Sequence, residues 1–482
     1  MAKIILIDPF GWQGASSGNN AFPNIGIAYL IPVLHKTGHN IKIIDLNNEY
    51  KSDNEILKII HDYNPNIIGF SVKTSTMKYV RDLSKKIKEK MPKTVIILGG
   101  PHATLTWYNL IQEPLFDIIF VGEGEDTLPI LCNNIIENIP INDLPGVITK
   151  DTYKDKLNLN YPFVSLENNL NILSFPEYDL FPQNVKDSIK KSYPLVTSRG
   201  CVYQCIYCSV PKISGKKFRK RSCESIIEEL KFIKAKYSIK KFEIVDDIFN
   251  FDINRCKEIC LAFIKENLNL KWTCPNGLRA DRVDKELAEL MFKSGCCSVM
   301  IGIENTDPNI LKTIKKGETI EDIEKGVKIF KKAGINVGGY FIIGLPGDSF
   351  QSQKESIKFV KKMRINAFFN MLVPYPETEL WNWAKTNTRF LKNIENGLHF
   401  TNDLTQNISV IETDDFSASE RQEAYKMVHT CLKKFNMIIP KNIPRYQYYY
   451  KISRMLWKYD KKSFLIYFLK CFCDKLKKIY HQ

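Results

Sequence analysis

The chain has no apolar run long enough to cross a bilayer, no signal-peptide core, no internal repeat and no glycine-rich low-complexity tract. Its opening stretch MAKIILIDPF has one Lys and a short β-like run ended by Asp8 and Pro9, which excludes an export signal there and predicts a cytoplasmic protein. Near the other end, the longest apolar run, SFLIYFLKCFC, falls well short of the ~20 residues of a spanning helix. The 13 cysteines, an odd number in a long chain, exclude a disulfide framework and leave packing, metals or catalysis as their uses. A dinucleotide fingerprint is also missing: GEGEDT (122–127) lacks the third glycine and follows the last strand of its series. Finally, the formal charge of +16 is not a general basicity. Residues 440–482 hold eleven Lys or Arg against Asp460 and Asp474, so most of the excess belongs to this one segment.

What is present is a long alternation of strands and helices. KIILID (3–8), NIKIIDL (40–46), NIIGFSV (66–72), TVIILGG (94–100) and DIIFVGE (117–123) are nearly continuous apolar runs, the pattern of parallel strands buried on both faces. Helical spacing in the segments between them predicts a doubly wound α/β domain, with ligands beyond the carboxyl ends of its strands. The loops in that position are 9–24, 71–75, 99–104 and 122–126. From 139 to 193 five prolines, with Pro194 just beyond, break the pattern into a hairpin at GVITK and an extended linker. A second series follows: PLVTS (194–198), KFEIVDD (241–247), KWTCPNG (271–277), SVMIGIE (298–304), NVGGYFIIGLP (336–346) and NAFFNMLVP (366–374) as strands, each with a helix before the next. Six β/α units predict a partial barrel, its functional residues gathered where strands end. The expected domains are 1–138, a linker 139–193, the barrel 194–390 and a helical, basic region 391–482.

Just after the first barrel strand, TSRGCVYQCIYCSVP sets Cys201, Cys205 and Cys208 in a C-x3-C-x2-C pattern. Three thiolates can hold three irons of a [4Fe–4S] cube and leave the fourth open to a small-molecule chelator. The alternatives are packing thiols or zinc; zinc needs a fourth ligand, and the next residues offer only Cys223, on the following helix. The aspartates of EIVDD, Asp246 and Asp247, are either site carboxylates or an N-cap. Arg279 of NGLRAD is either a site residue or a surface ion pair. Glu304 of GIEN, at the end of an apolar strand, is harder to assign to solvent. Gly344 of IIGLPGDS either admits a ligand close to the backbone or, with Pro346 and Gly347, makes a plain turn. Tyr340, Phe341, Asn370 and Tyr375 stand at the barrel mouth, as substrate-pocket or strand-core residues.

With Tyr207 before the third cysteine, the chain resembles the radical S-adenosylmethionine (SAM) enzymes, whose hallmark is C-x3-C-x-aromatic-C after the first strand of a (β/α)6 barrel. NIGIAYLIPVLHKTGHNIKIID, GGPHAT, DIIFVGEGE and FPEYDLFP extend the resemblance to the subgroup with an amino-terminal cobalamin-binding domain, over residues 1 to about 390. The resemblance implies an α/β fold: a Rossmann-like cobalamin domain, a radical SAM barrel and a helical carboxyl-terminal extension. It implies a [4Fe–4S] cluster on Cys201, Cys205 and Cys208; SAM near Tyr207, Asp246, Asp247, Arg279, Glu304 and Gly344; and cobalamin near Ser71, Gly99, Gly100, His102, Gly122 and Glu123. D-x-H-x-x-G, which supplies a histidine to cobalt in many cobalamin domains, is absent: His35, His39, His61 and His102 have the wrong neighbours. The activity implied is methylation of an unactivated carbon of a small-molecule or lipid substrate, with an electron donor such as flavodoxin or ferredoxin. Its rivals are a cobalamin-dependent ring-forming or rearranging enzyme and a non-catalytic cobalamin or metal sensor. The aromatic and basic stretch 440–482 suits an amphipathic segment lying peripherally on the inner face of a membrane. A helical cap on the barrel is the alternative; nucleic acid is disfavoured, since no RNA-binding fold is visible.

Overall fold

The computed structural model describes residues 1–9, 23–49, 51–157, 166–394 and 408–434. Most of the 9–24 loop and the whole stretch 440–482 therefore lie outside the described residues.

The first sheet contains β1 (Lys3–Asp8), β2 (Asn40–Asp45), β3 (Ile67–Ser71), β4 (Val95–Gly99), β5 (Ile118–Phe120) and β6 (Val147–Ile148), in the order β2-β1-β3-β4-β5-β6. β1 to β5 run parallel, and β6, from GVITK, is an antiparallel edge strand on β5, with no hairpin of its own. The apolar runs predicted this sheet because helices cover both of its faces. Ile68, Phe70, Ile96 and Leu98 are wholly or almost wholly buried, each worth about 1.5–3 kcal/mol of transfer free energy. The order reverses between β1 and β3, which opens a crevice at their carboxyl ends.

The second sheet runs in simple sequence, all parallel: β7 (Tyr193–Leu195), β8 (Lys241–Ile244), β9 (Lys271–Leu278), β10 (Cys296–Glu304), β11 (Asn336–Ile343) and β12 (Asn366–Met371). β7 and β12 do not pair, so the barrel stays open. Side-chain caps start its helices: Ser222, Asp252, Asp284, Thr319 and Ser349 each accept a backbone N–H of the first turn. The cap after β8 is Asp252, which removes that role from Asp246 and Asp247. The helix Ala418–Lys434 packs over β11, β12 and the helix Phe350–Met363, as the described part of the carboxyl-terminal extension. No helix among the described residues is long and apolar enough to cross a membrane.

Candidate active site at the barrel mouth

The cysteine loop is pinned at its root. Ser198–Arg199 pairs antiparallel with Arg219–Lys220 and closes the loop carrying the three thiols. Gly200 has φ +85°, and a Cβ there would collide with the Lys217 carbonyl, so the turn into Cys201 requires glycine. Both aspartates that follow β8 serve this root. Asp246 accepts the Thr197 N–H at 2.6 Å and the Thr197 and Ser198 hydroxyls at 2.5 and 2.6 Å. Asp247 accepts the Gly200 N–H at 2.8 Å and also faces a cavity shared with the first sheet. Asp246 thus spends its carboxylate on the loop and differs from the expected cofactor contact; Asp247 remains beside open space.

Further along, the loop is clamped by charge and ring contacts. The Arg279 guanidinium carbon lies 3.8 Å from the Tyr203 ring centroid. Arg279 also donates to Asp281 (2.8 and 3.1 Å) and to the Lys316 and Gly317 carbonyls (2.7 and 2.8 Å). Only 4% exposed, it is neither a surface ion pair nor turned toward open space; it holds the loop by stacking. The Ile206 N–H bonds Ile314 O at 3.1 Å. Burial pushes the Cys208 thiol up to about 12 and raises that of Cys201. Both therefore stay protonated until a metal takes the proton's place. Among the described residues no three His, Cys, Asp or Glu converge tightly enough for a single metal ion. Three thiols spaced along one loop suit a multi-iron cluster better than zinc.

Behind the loop, Glu304 belongs to a group of charges whose other members, Lys316 and Glu318, the sequence reading missed. Lys316, 6% exposed, lies 3.3 Å from Glu304 and 3.6 Å from Glu318. Burial works against its ammonium, but Glu304 and Glu318 outweigh it and raise the pKa; the Cys205 thiol adds to the effect. Glu304 ends β10 at φ +64° and also engages Tyr207, whose hydroxyl burial holds firmly protonated. Glu318 accepts the Ala280 N–H at 2.6 Å. Gly344 has φ +98°, and a Cβ there would stand 2.6 Å from Nη1 of the buried Arg421, so the position has no room for a side chain. Phe341 is core, stacked on Phe369, and the Tyr340 hydroxyl donates to Pro275 O at 2.6 Å; Asn370 and Tyr375 are exposed.

The first sheet faces this mouth across a cavity of about 550 Å³. Ser71, Gly99, Gly100, Gly122 and Glu123 line one side, and Val196, Ser198, Arg199, Ser214 and Asp247 the other. It deepens between the sheet and the helices Ile25–Lys36 and Thr127–Glu137, past Gly69, Phe70 and Leu128. Among the described residues no histidine lines it; His102 is buried beside it with Nδ1 3.2 Å from the Thr74 hydroxyl. A pocket apolar in depth and rimmed by glycine backbone and a few charges suits a large, flat organic cofactor held largely by shape.

The Radical SAM superfamily profile matches residues 195–360 and the B12-binding domain profile residues 15–132. An uncharacterized methyltransferase of Pyrococcus horikoshii is 34% identical over 77% of this chain and 80% of its own length. The chain belongs to the cobalamin-binding radical SAM enzymes. The hopanoid C-3 methylase of Methylococcus capsulatus is 26% identical, over 74% of this chain and 68% of its own. The radical SAM methyltransferase TsrM of Kitasatospora setae, solved with cobalamin and a [4Fe–4S] cluster bound, shares the fold: TM-score 0.67 at 16% identity, covering 92% and 90% of the two chains. As a member of the cobalamin-dependent radical SAM methyltransferase family, the chain is an enzyme that uses a [4Fe–4S] cluster, SAM and cobalamin.

Proposed function

We propose that this radical SAM enzyme methylates an unactivated carbon of a small-molecule substrate. The observation that carries the reading is the shared wall: Asp247 and Arg199 border the cavity and at the same time root the cysteine loop. Bound there, the cluster supplies an electron, SAM a hydrogen-abstracting radical and cobalamin a methyl group, while the protein binds, aims and shields. Cys201, Cys205 and Cys208 would hold three irons. Lys316 would take the SAM carboxylate, since its ammonium is buried in the field of Cys205. Glu304, kept in place by Lys316 and Tyr207, would face the ribose side, and Asp247 the amino group. Ser71, Gly99, Gly100, Gly122 and Glu123 would border cobalamin, with no histidine below cobalt. Asp246 and Arg279 would act one step back, by fixing the loop.

A flavodoxin or ferredoxin would supply the electron, and a lipid substrate would come within reach if residues 440–482 touch a membrane. The test is anaerobic turnover with SAM labelled in its methyl group. Label in the product supports methyl transfer. Formation of 5′-deoxyadenosine with an unlabelled, rearranged or cyclised product overturns it in favour of the ring-forming reading.

A further inference from the structure

Two buried arginines tie the root of the cysteine loop to the cavity wall. Arg199 and Arg219 face each other across the strand pair that closes the loop. Arg199 reaches Glu123 at 3.1 Å and Glu125 at 2.6 Å, and its guanidinium lies 5.2 Å from the Tyr29 ring centroid. Arg219 forks onto both oxygens of Glu123, at 2.6 and 2.8 Å, and donates to the carbonyls of Glu167 and Ser214. These four charged side chains are 5–14% exposed, so each pair acts in a weakly screened setting where losing one partner strands the other. Tyr29, Glu123, Glu125 and Arg199 all line the cavity. One residue beyond Arg199, the Gly200 N–H is held by Asp247, which lines it too.

The cavity wall and the loop root are therefore built from the same side chains. A ligand that fills the cavity lies against Arg199, Glu125 and Tyr29. A cluster on Cys201 stands one glycine away from the same Arg199. Whichever binds first fixes the position of this shared wall for the second. We infer that cobalamin and the iron–sulfur cluster bind this chain cooperatively, with the Arg199–Glu125 pair as the positioning contact that couples them. The inference rests on the reading above that this cavity takes cobalamin. It goes beyond that reading by making the two cofactor sites energetically one. Coupling of this kind is reciprocal, so each cofactor tightens the other by the same factor.

The experiment measures the cobalamin Kd of the full chain, under anaerobic conditions, in the cluster-loaded state and after chelation of the iron. A companion measurement follows the rate of iron loss to chelator with and without cobalamin. Cluster-loaded protein is expected to bind cobalamin about 5–150-fold more tightly, the usual range for coupled sites, and cobalamin is expected to slow iron loss. Glu125→Gln should bring the factor toward one while both cofactors still bind; Arg199→Lys, which keeps the charge, should retain part of it. Equal Kd values in the two states of the parent overturn the inference, as does a factor undiminished in both Glu125→Gln and Arg199→Met. A parent that binds no cobalamin in either state overturns the cavity assignment and this inference with it. Binding with equal affinities overturns only the coupling.

Discussion

Replacing Lys316 by Met keeps most of the side-chain volume and deletes one buried charge. The ammonium, 7% exposed, stands between Glu304 and Glu318, whose side chains are 9% and 0% exposed. Without it, the nearest cation to Glu318 is Arg279, 3.9 Å away and already committed to Asp281. Removing one partner from a buried ion pair costs about 3–5 kcal/mol. That is a large fraction of the ~5–15 kcal/mol that holds a typical domain folded. The pH dependence has a definite sign. Lys316 has a raised pKa in the folded chain, so its stabilisation is complete at neutral pH and is lost only as pH climbs through that raised value. In the variant protonation of Glu318 offsets the lost partner, and burial already holds that carboxyl above the usual carboxylate range. The deficit should thus be largest near pH 7.5 and shrink toward pH 5. Urea unfolding of the cluster-free chain at both pH values, with the slope m unchanged, measures it. A variant within ~0.5 kcal/mol of the parent at pH 7.5, or a deficit that grows on acidification, would refute the reasoning, since only an exposed lysine behaves so.

Three further outcomes are expected. Gly200→Ala forces a side chain into the Lys217 carbonyl at a φ that disfavours it, so iron content after reconstitution should fall well below the parent's; full loading would show that the loop root is not rigid. Cys205→Ala should abolish the charge-transfer absorption of the cluster, and an unchanged spectrum would mean that other residues hold the iron. Asp45→Asn should stabilise the protein above pH 7. Burial, helped by Asp8, pushes the Asp45 carboxyl up to about 7, so the stability it contributes is present below about pH 4 and lost as pH rises through 7. The variant's gain in thermal stability should approach at most about 4 kcal/mol at pH 8 and vanish in acid; no difference at pH 8 would show that the carboxylate is solvated.

The strands were legible because a parallel sheet covered on both faces needs continuous apolar runs, and KIILID and SVMIGIE supply them. The position of the cysteine loop, just after the first barrel strand, was legible from the strand pattern. Lys316, Arg199 and Arg219 were not, because a sequence profile reads an isolated cation as solvated. The arginines are buried against partners far along the chain, Glu123 and Glu125, and the lysine against Glu304 at a barrel strand end, 12 residues away. The stacking of Arg279 on Tyr203 was hidden for the same reason, since it joins residues 76 apart in sequence. The filling of Gly344 by Arg421 comes from a helix outside the barrel pattern, which nothing in the glycine's own motif announces.

The central claim is that this chain generates a radical from SAM at the cluster on Cys201, Cys205 and Cys208. The most direct measurement is 5′-deoxyadenosine formation by the anaerobically reconstituted full chain, given cobalamin, SAM and a strong one-electron reductant. The account predicts that the nucleoside appears with the parent and is lost in Cys205→Ala. A fully loaded, reduced parent that forms none would contradict it and favour a non-catalytic cobalamin or metal sensor.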